Sequence, residues 1–243
     1  MWGIIPAAGS GSRIQPLAFS KELLPVGSNI IHNCERPRAV SEYLIERMRI
    51  AGVSKICMVI SPGKSDILRY YGSGVDAIQF CYAIQQQPSG LCDAIFRAVP
   101  VIQPHDHVLI GLPDTVWFPE DALCELPDGV LSFLLFPVDH PEFYDAVDTG
   151  ADATVRQIRV KCPEVITNWV WGAFKMPGEV LHDLHTLWKM RECKDEYMGT
   201  LINAYIEGGA TVKGIRAGNA YVDVGTLNGY REALRLLNGS VPV

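Results

Sequence analysis

Apolar and polar positions fall into two rhythms along this chain. Trp2 to Pro6 is a short apolar run that stops at a glycine-rich turn, the pattern of a buried strand feeding a loop. From Arg38 to Gly52 the apolar Val40, Leu44, Met48 and Ala51 fall at helical spacing, and Gly52 is a natural stop. Lys55 to Ile60 predicts a second buried strand, closed by Pro62-Gly63, and Ala77 to Ile84 a third. A helix over Leu91 to Val99 and a fourth strand over His107 to Leu112 follow. Strand, helix, strand, helix implies right-handed βαβ units and a parallel, doubly wound sheet, which Gly129 to Val138 continues. The second half is mixed. Ala153 to Lys161 alternates like a half-exposed strand, and Thr167 to Met176 and Thr211 to Ile215 read as strands. Glu179 to Met190, Glu196 to Glu207 and Leu227 to Leu237 read as helices. The expected fold class is α/β: a Rossmann-like, doubly wound sheet, mixed but mainly parallel. A single domain is expected over residues 1–243, with a nucleotide-binding half over about 1–138 and a substrate-binding half over about 139–243.

Composition narrows the class without naming a chemistry. The 243 residues are 48% apolar and 20% charged, which excludes disorder, collagen and coiled coil. No apolar run reaches about 18 residues, so no membrane span or membrane partner is expected. The opening residues lack a charged segment followed by a long apolar core, so the chain is expected in the cytoplasm. A net charge of -6 argues against a nucleic-acid partner, but a small anionic substrate needs only two or three placed cations. The seven cysteines are scattered and form no CxxC pair, so neither disulfides nor a zinc site is expected. No histidine is paired with a serine or cysteine motif, so no His-based mechanism competes.

Three segments carry chemistry on their own residues. In the first, Ala7-Ala8-Gly9-Ser10-Gly11-Ser12 follows a buried strand, so that backbone N–H groups can reach a ligand unobstructed and form an anion-binding nest. Arg13 follows at once, a planar fork for phosphate oxygens, and Lys21 adds a mobile point charge. The spacing fits neither the dinucleotide fingerprint nor the P-loop. In the second, Gln85 to Ala94, a glutamine amide offers the donor and acceptor that complement a pyrimidine edge, and the backbone at Gly90 can approach a base closely. In the third, Asp114 stands at the C-terminal end of a buried strand, the edge where such sheets bind ligands, and its carboxylate suits Mg²⁺.

The combination PAAGSGSR, Pro16 and SKELLPV resembles the signature of the sugar-1-phosphate nucleotidyltransferases, or NDP-sugar pyrophosphorylases. Its wording is most similar to the bacterial UTP–glucose-1-phosphate uridylyltransferases, with the glucose-1-phosphate thymidylyltransferases close behind. The resemblance runs over about residues 2–237 and implies the nucleotide-diphospho-sugar transferase fold. It implies that Ala7, Ala8, Gly9, Gly11 and Ser12 wrap the nucleotide and that Arg13 and Lys21 grip its triphosphate; the stretch between those two is slightly shorter than the family pattern. QQPSGLCDA resembles the family's Q-P-x-x-x-G-L-x-x-A element, and LPDT its magnesium-binding LPD element, so Gln85, Gly90 and Asp114 are the expected nucleotide-binding residues. Ala220 to Thr226 resembles W-x-D-x-G-T, which makes Asp223 the second expected metal ligand, 109 positions from Asp114.

At the sugar end the match loosens. The family's E-K-P appears as Val160-Lys161-Cys162-Pro163, keeping the lysine that contacts the sugar phosphate and losing the glutamate that contacts a hydroxyl. Asp145 stands where the family's Y-G-V-V has glycine, and Glu196 is expected to stand in for a sugar-binding glutamate. Asp145, Lys161 and Glu196 are therefore the expected sugar-phosphate contacts. The implied reaction joins an NTP, UTP or dTTP by preference, to a sugar 1-phosphate with release of pyrophosphate. Arg13, Lys21, Lys161 and Mg²⁺ would act by positioning and charge neutralisation. Alternatives are a non-sugar acceptor such as phosphocholine, because Val160 and Asp145 break the hexose pattern, and a nucleotide-sugar sensor without turnover. A dehydrogenase is disfavoured by the absence of GxGxxG. The chain stops soon after its last helix, where longer relatives carry tetramer-building helices, so a monomer or homodimer is expected.

Overall fold

The computed structural model describes residues 1–31 and 33–239. In chain order the strands of the first half are β1 (Trp2–Pro6), β2 (Pro25–Ile31), β3 (Cys34–Ala39), β4 (Lys55–Ile60), β5 (Gly74–Val75), β6 (Ile78–Ile84), β7 (His107–Gly111), β8 (Thr115–Phe118) and β9 (Leu131–Pro137). Those of the second half are β10 (Asp145–Thr149), β11 (Val155–Val160), β12 (Trp169–Pro177), β13 (Val212–Ile215) and β14 (Ala220–Asp223). The helices are α1 (Val40–Ile50), α2 (Ser65–Tyr71), α3 (Gly90–Phe96), α4 (Gly178–Met190), α5 (Met198–Glu207) and α6 (Leu227–Gly239). Among the described residues no helix is long and apolar enough to cross a membrane.

The centre of the main sheet is parallel, in the order β6-β4-β1-β7. Strands β1, β4 and β7 are nearly continuous apolar runs because both faces are covered, whereas β6, nearer the sheet edge, is half-exposed. Ile4, Cys57 and Val59 pack with Ile95 of α3, Leu181 and Leu184 of α4, and Leu201 and Ile202 of α5. Their neighbours Ile5, Ile56 and Met58 pack on the opposite face with Leu44 and Met48 of α1 and Ile67 and Tyr71 of α2. Side chains two apart on one strand thus serve one layer, and burial on both faces gives the doubly wound α/β architecture expected.

Beyond β7 the sheet turns antiparallel. The long β12 pairs with β7 through Ala173 to Pro177 and is flanked on its other edge by β9, which in turn pairs in parallel with β13. So β9 continues the sheet as expected and runs in the same direction as β7, but the antiparallel β12 stands between them. The first residues of β12 pair with β10, and β10 with β11. Two ribbons stand apart from this sheet: β2 with β3, and β8 with β14. The helix expected from Arg38 begins at Val40, because Arg38 and Ala39 finish β3. One polar residue of α1 defies the pattern. Arg47 is buried among apolar side chains, where its guanidinium donates to the carbonyls of Trp117 and Tyr43, tying β8 to the helix.

Candidate active site

The parallel strands end at one edge, and the segments leaving β1, β4, β6 and β7 build one site there, as the geometry of open α/β sheets favours. After β1, the Ala7 N–H donates to the Val59 carbonyl at 2.7 Å, and Ala7 and Ala8 are buried while Gly9, Ser10 and Ser12 reach solvent. Gly11 has φ 66°, and a Cβ there would lie 2.8 Å from Cδ of Lys21. A side chain at this position would combine a disfavoured backbone with a clash, so glycine lets the loop close over the Lys21 stem. Lys21 Nζ donates to Asp114 Oδ2. Arg13, whose side chain is 62% exposed, donates from Nη2 to Asp223 Oδ2 at 3.1 Å.

Spacing could not pair Asp114 with Asp223; the β8–β14 ribbon does. Thr115 is the register partner of Asp223, and the Val224 N–H donates to the Asp114 carbonyl at 2.8 Å. A Cβ built on Gly225 would stand 2.7 Å from Asp223 Oδ1, 3.0 Å from Arg13 Nη2 and 3.3 Å from Asp114 Oδ2, so all three groups border one small space. Burial opposes ionisation of Asp114, but Lys21 and Arg13 outweigh it and hold this carboxyl below the usual range. Burial and the like charge of Asp114 push Asp223 the other way, above it. Lys21 is disfavoured by burial, yet Asp114, Glu22 and Asp223 together hold it above the ordinary lysine value.

This donor set fits a hard divalent cation. Among the described residues no group of three or more His, Cys, Asp or Glu side chains is gathered as a metal cage. Two hard carboxylates bordering one space suit Mg²⁺, which keeps waters and takes phosphate oxygens for its remaining positions.

The segment after β4 was not foreseen. Lys64 is only 9% exposed, and its Nζ donates to Ala7 O at 2.7 Å and to Glu22 Oε1 and Oε2 at 2.7 and 2.8 Å. Glu22 is 1% exposed. Burial pushes Glu22 up and Lys64 down, each against the pull of the other. Two residues on, Asp66 accepts from Ser20 N and Ser20 Oγ, both at 2.6 Å. Residues 20 and 22, on either side of Lys21, are therefore fastened to the start of α2, where Lys64 also grips the start of the small-residue loop through Ala7. A lysine after Pro-Gly reads as a solvated turn, so no signal in the chain marked it.

After β6, Gln85 is 2% exposed, and its Nε2 donates to Asp93 Oδ2 at 2.8 Å and to Gly90 O at 3.1 Å. A carboxylate only accepts, so Asp93 fixes the amide with its NH₂ inward. Asp93 is itself held by Arg97 at 2.7 Å. Gly90 has φ 93°, and a Cβ there would meet the Glu196 backbone at 2.8 Å. The Glu196 carbonyl accepts from Leu91 N at 2.8 Å at the start of α3, and Tyr197 is extended, so that α5 begins at Met198 rather than at Glu196. Glu196 thus braces the Gln85–Gly90 turn through its backbone, with its side chain exposed.

On the other flank, Lys161 follows β11 with φ 44° and points at Tyr197, its Nζ 3.3 Å from the hydroxyl and 4.4 Å from the ring centroid. Burial pushes Asp145 up, and the Lys161 charge and the Trp171 N–H pull it back. Burial raises the Tyr221 phenol well above its ordinary value, and the charges of Asp223, Asp114 and Asp145 add to the shift.

The chain is similar to two glucose-1-phosphate thymidylyltransferases, each aligned over 96% of this chain and 81% of the relative. That of Mycolicibacterium smegmatis is 28% identical over 244 residues, and that of Neisseria meningitidis 26% identical over 248. The UTP-bound UGPase of Acinetobacter baumannii shares the fold, with a TM-score of 0.81 at 19% identity over 99% of this chain and 94% of that one. The sequence model of the nucleotidyl transferase family matches residues 2–239, and the chain belongs to that family, among its sugar-1-phosphate nucleotidyltransferases.

Proposed function

We propose that the chain transfers a nucleotidyl group from UTP or dTTP to a sugar 1-phosphate. An oxygen of the acceptor phosphate attacks the α-phosphorus in line. The bond from that phosphorus to the bridging oxygen breaks, and pyrophosphate leaves with the electron pair. The nucleophile is already anionic, so no proton has to be removed and no general base is required. Arg13 and Lys21 neutralise the triphosphate oxygens, the Gly9–Ser12 amides orient them, and Lys161 positions the acceptor phosphate. Asp114 and Asp223 would hold Mg²⁺, which supplies further charge neutralisation on the phosphate oxygens when bound.

The observation that carries this reading is the convergence of Arg13, Lys21, Asp114 and Asp223 on one strand edge. The base preference is supported by Gln85. With its NH₂ held by Asp93 and Gly90, only Oε1 remains to meet a base, and it complements an imino N–H. Uracil and thymine have that N–H; cytosine does not. Pyrophosphate release across UTP, dTTP and CTP with a panel of sugar 1-phosphates, at graded Mg²⁺, tests both. Release with UTP or dTTP is expected. No release from any pair by the folded protein would overturn the reading, and CTP as the best donor would overturn its base assignment.

A further inference from the structure

A cleft of about 540 Å³ opens between α3 and the last turns of α4, outside the site described above. Its wall repeats one spacing on two helices. Asp93, Phe96 and Arg97 come from α3 and the residue that ends it, and His185, Trp188 and Lys189 from α4. Each set falls at i, i+3 and i+4 and so shares one helix face. The floor is aromatic: the Phe96 ring centroid lies 5.0 Å from that of His185 and 5.2 Å from that of Trp188. Trp188 donates its N–H to the Asp195 carbonyl at 3.1 Å, so it offers the cleft only carbon surface. The rim is cationic. Arg97, whose side chain is 48% exposed, donates from Nη2 to Asp93 Oδ1 at 2.7 Å, and Lys189 is exposed. Burial, with Lys189 and His182, holds the His185 pKa below its ordinary 6.5, so that ring is neutral at pH 7 and adds no further charge.

These surroundings define a ligand. Arg97 and Lys189 stand against the single carboxylate of Asp93, and the excess positive charge repels a cation and attracts an anion. A bare inorganic anion would leave the aromatic floor wet, whereas a flat ring covers it, and the volume lies in the range of small-molecule sites. A guanidinium has donors on three nitrogens and Asp93 occupies only Nη2, so an anion can take the others without breaking that pair. Asp93 belongs to two networks at once: Oδ1 accepts from Arg97, and Oδ2 from Gln85 Nε2 at 2.8 Å. A ligand that fixes Arg97 therefore fixes Asp93, and with it the Gln85 amide. We infer that this cleft is an effector site for a flat aromatic anion, a ring bearing phosphate or carboxylate, whose binding tightens the hold on the nucleotide through Arg97, Asp93 and Gln85. The coupling, though not the site itself, rests on the reading in which Gln85 meets the base of UTP or dTTP.

Site and coupling are read separately. Cys193 lies on the rim of the cleft and is exposed, as are Cys34 and Cys124 elsewhere on the chain. Alkylation of each thiol in the full chain is followed by peptide mass spectrometry with phenyl phosphate, benzoate, phenol or inorganic phosphate added. Phenyl phosphate or benzoate is expected to slow Cys193 severalfold and leave Cys34 and Cys124 unchanged, and the more protective of the two identifies the anionic group. Phenol and inorganic phosphate, each with half of the required chemistry, should protect poorly. Lys189→Glu should raise the concentration needed for half-protection at least about tenfold, because like charges then meet, and leave kcat/KM without added ligand as in wild type. In the wild type, the saturating protective ligand should lower KM for UTP or dTTP about fivefold, the small end of ordinary coupling between sites, and in Lys189→Glu it should not. No protection of Cys193 by either aromatic anion, or equal protection by inorganic phosphate, would overturn the site. Protection with KM unchanged or raised would overturn the coupling. Absence of pyrophosphate release from any pair of substrates would overturn nucleotidyl transfer and the coupling with it, while the Cys193 readout would still decide the site.

Discussion

Replacing Lys64 by methionine breaks the buried ion pair behind the nucleotide loop. Lys64 makes three bonds within 2.8 Å, two to Glu22 and one to the Ala7 carbonyl. Methionine keeps the length of the side chain and removes all three. Breaking a buried pair from one side costs about 3–5 kcal/mol, because the remaining charge is left without compensation. Glu22 has one escape, which is to take a proton, and burial already holds its carboxyl above the ordinary range. The loss at pH 7 should therefore fall near the lower figure, about 3 kcal/mol, or about 6–12 °C in Tm for a domain of this size. The sign with pH follows. In Lys64→Met the Glu22 pKa is higher folded than unfolded, so folding takes up a proton and the deficit shrinks as pH falls.

A companion variant separates stability from positioning. Glu22→Gln combined with Lys64→Met removes the stranded charge and should recover about 1–2 kcal/mol over the single change, within the usual range for coupled neighbours. It does not restore the grip on Ala7 or on the segment holding Lys21. The kcat/KM for the nucleotide should therefore stay at least about tenfold below wild type, since a displacement near 1 Å can cost as much as about 10²-fold. Urea and thermal melts with initial-rate kinetics at 25 °C read both quantities. Wild-type stability in Lys64→Met would refute the energetic reasoning. Full recovery of kcat/KM alongside stability in the double variant would refute the positioning role.

Three further outcomes are expected. Arg13→Ala should lower the rate roughly 10²- to 10³-fold, the scale of one lost electrostatic donor, and scarcely move Tm because the side chain is mostly exposed; turnover within a few-fold of wild type would sink its assignment. Asp93→Asn should let the Gln85 amide turn over, and the preference for UTP or dTTP over CTP should fall about tenfold, the size of one hydrogen bond; an unchanged ratio in a competition assay would count against the fixed amide. Burial works against Asp66, but its bonds from Ser20 win and hold its pKa below the ordinary 3.8. Its contribution is therefore complete above about pH 4 and lost as pH falls through the folded value, so the stability gap between wild type and Asp66→Asn should close in acid, as urea melts from pH 3 to 7 would record.

What could be read from the chain and what could not divides along a physical line. Strands β1, β4, β6 and β7 are legible because each is mainly apolar, and the loop leaving β1 because small residues beside Arg13 and Lys21 have few other uses. The β2–β3 hairpin, β8, β10, β14 and the seven-residue α2 were not recognised as elements. They are short, and most carry polar residues whose pattern does not separate a ribbon from a turn. Asp223 was reached only by resemblance, since its approach to Asp114 is made by the β8–β14 pairing, which local sequence cannot encode. Lys64, Asp66 and Asp93 escaped for another reason. Each is an ordinary polar residue in a loop or short helix: Lys64 and Asp66 gain a task only from partners more than 40 positions away, and Asp93 only from the folding of α3 back onto Gln85.

The same pairing explains how an acidic chain can hold polyphosphate. Three cations of the site are each paired with a carboxylate: Arg13 with Asp223, Lys21 with Asp114, and Lys64 with Glu22. They therefore leave no mark on a net charge of -6. The Lys64–Glu22 pair is buried behind the loop, but Arg13 and Lys21 are the groups proposed to meet the triphosphate. When they turn to phosphate oxygens, Asp114 and Asp223 lose their partners, and two carboxylates bordering one space cannot both stay charged without a cation between them. Nucleotide and divalent cation should for that reason bind with positive coupling, each strengthening the other by the same factor. On the proposed reaction, the carboxylates that pair with Arg13 and Lys21 would make the site a place for a metal–nucleotide complex rather than for a bare polyanion.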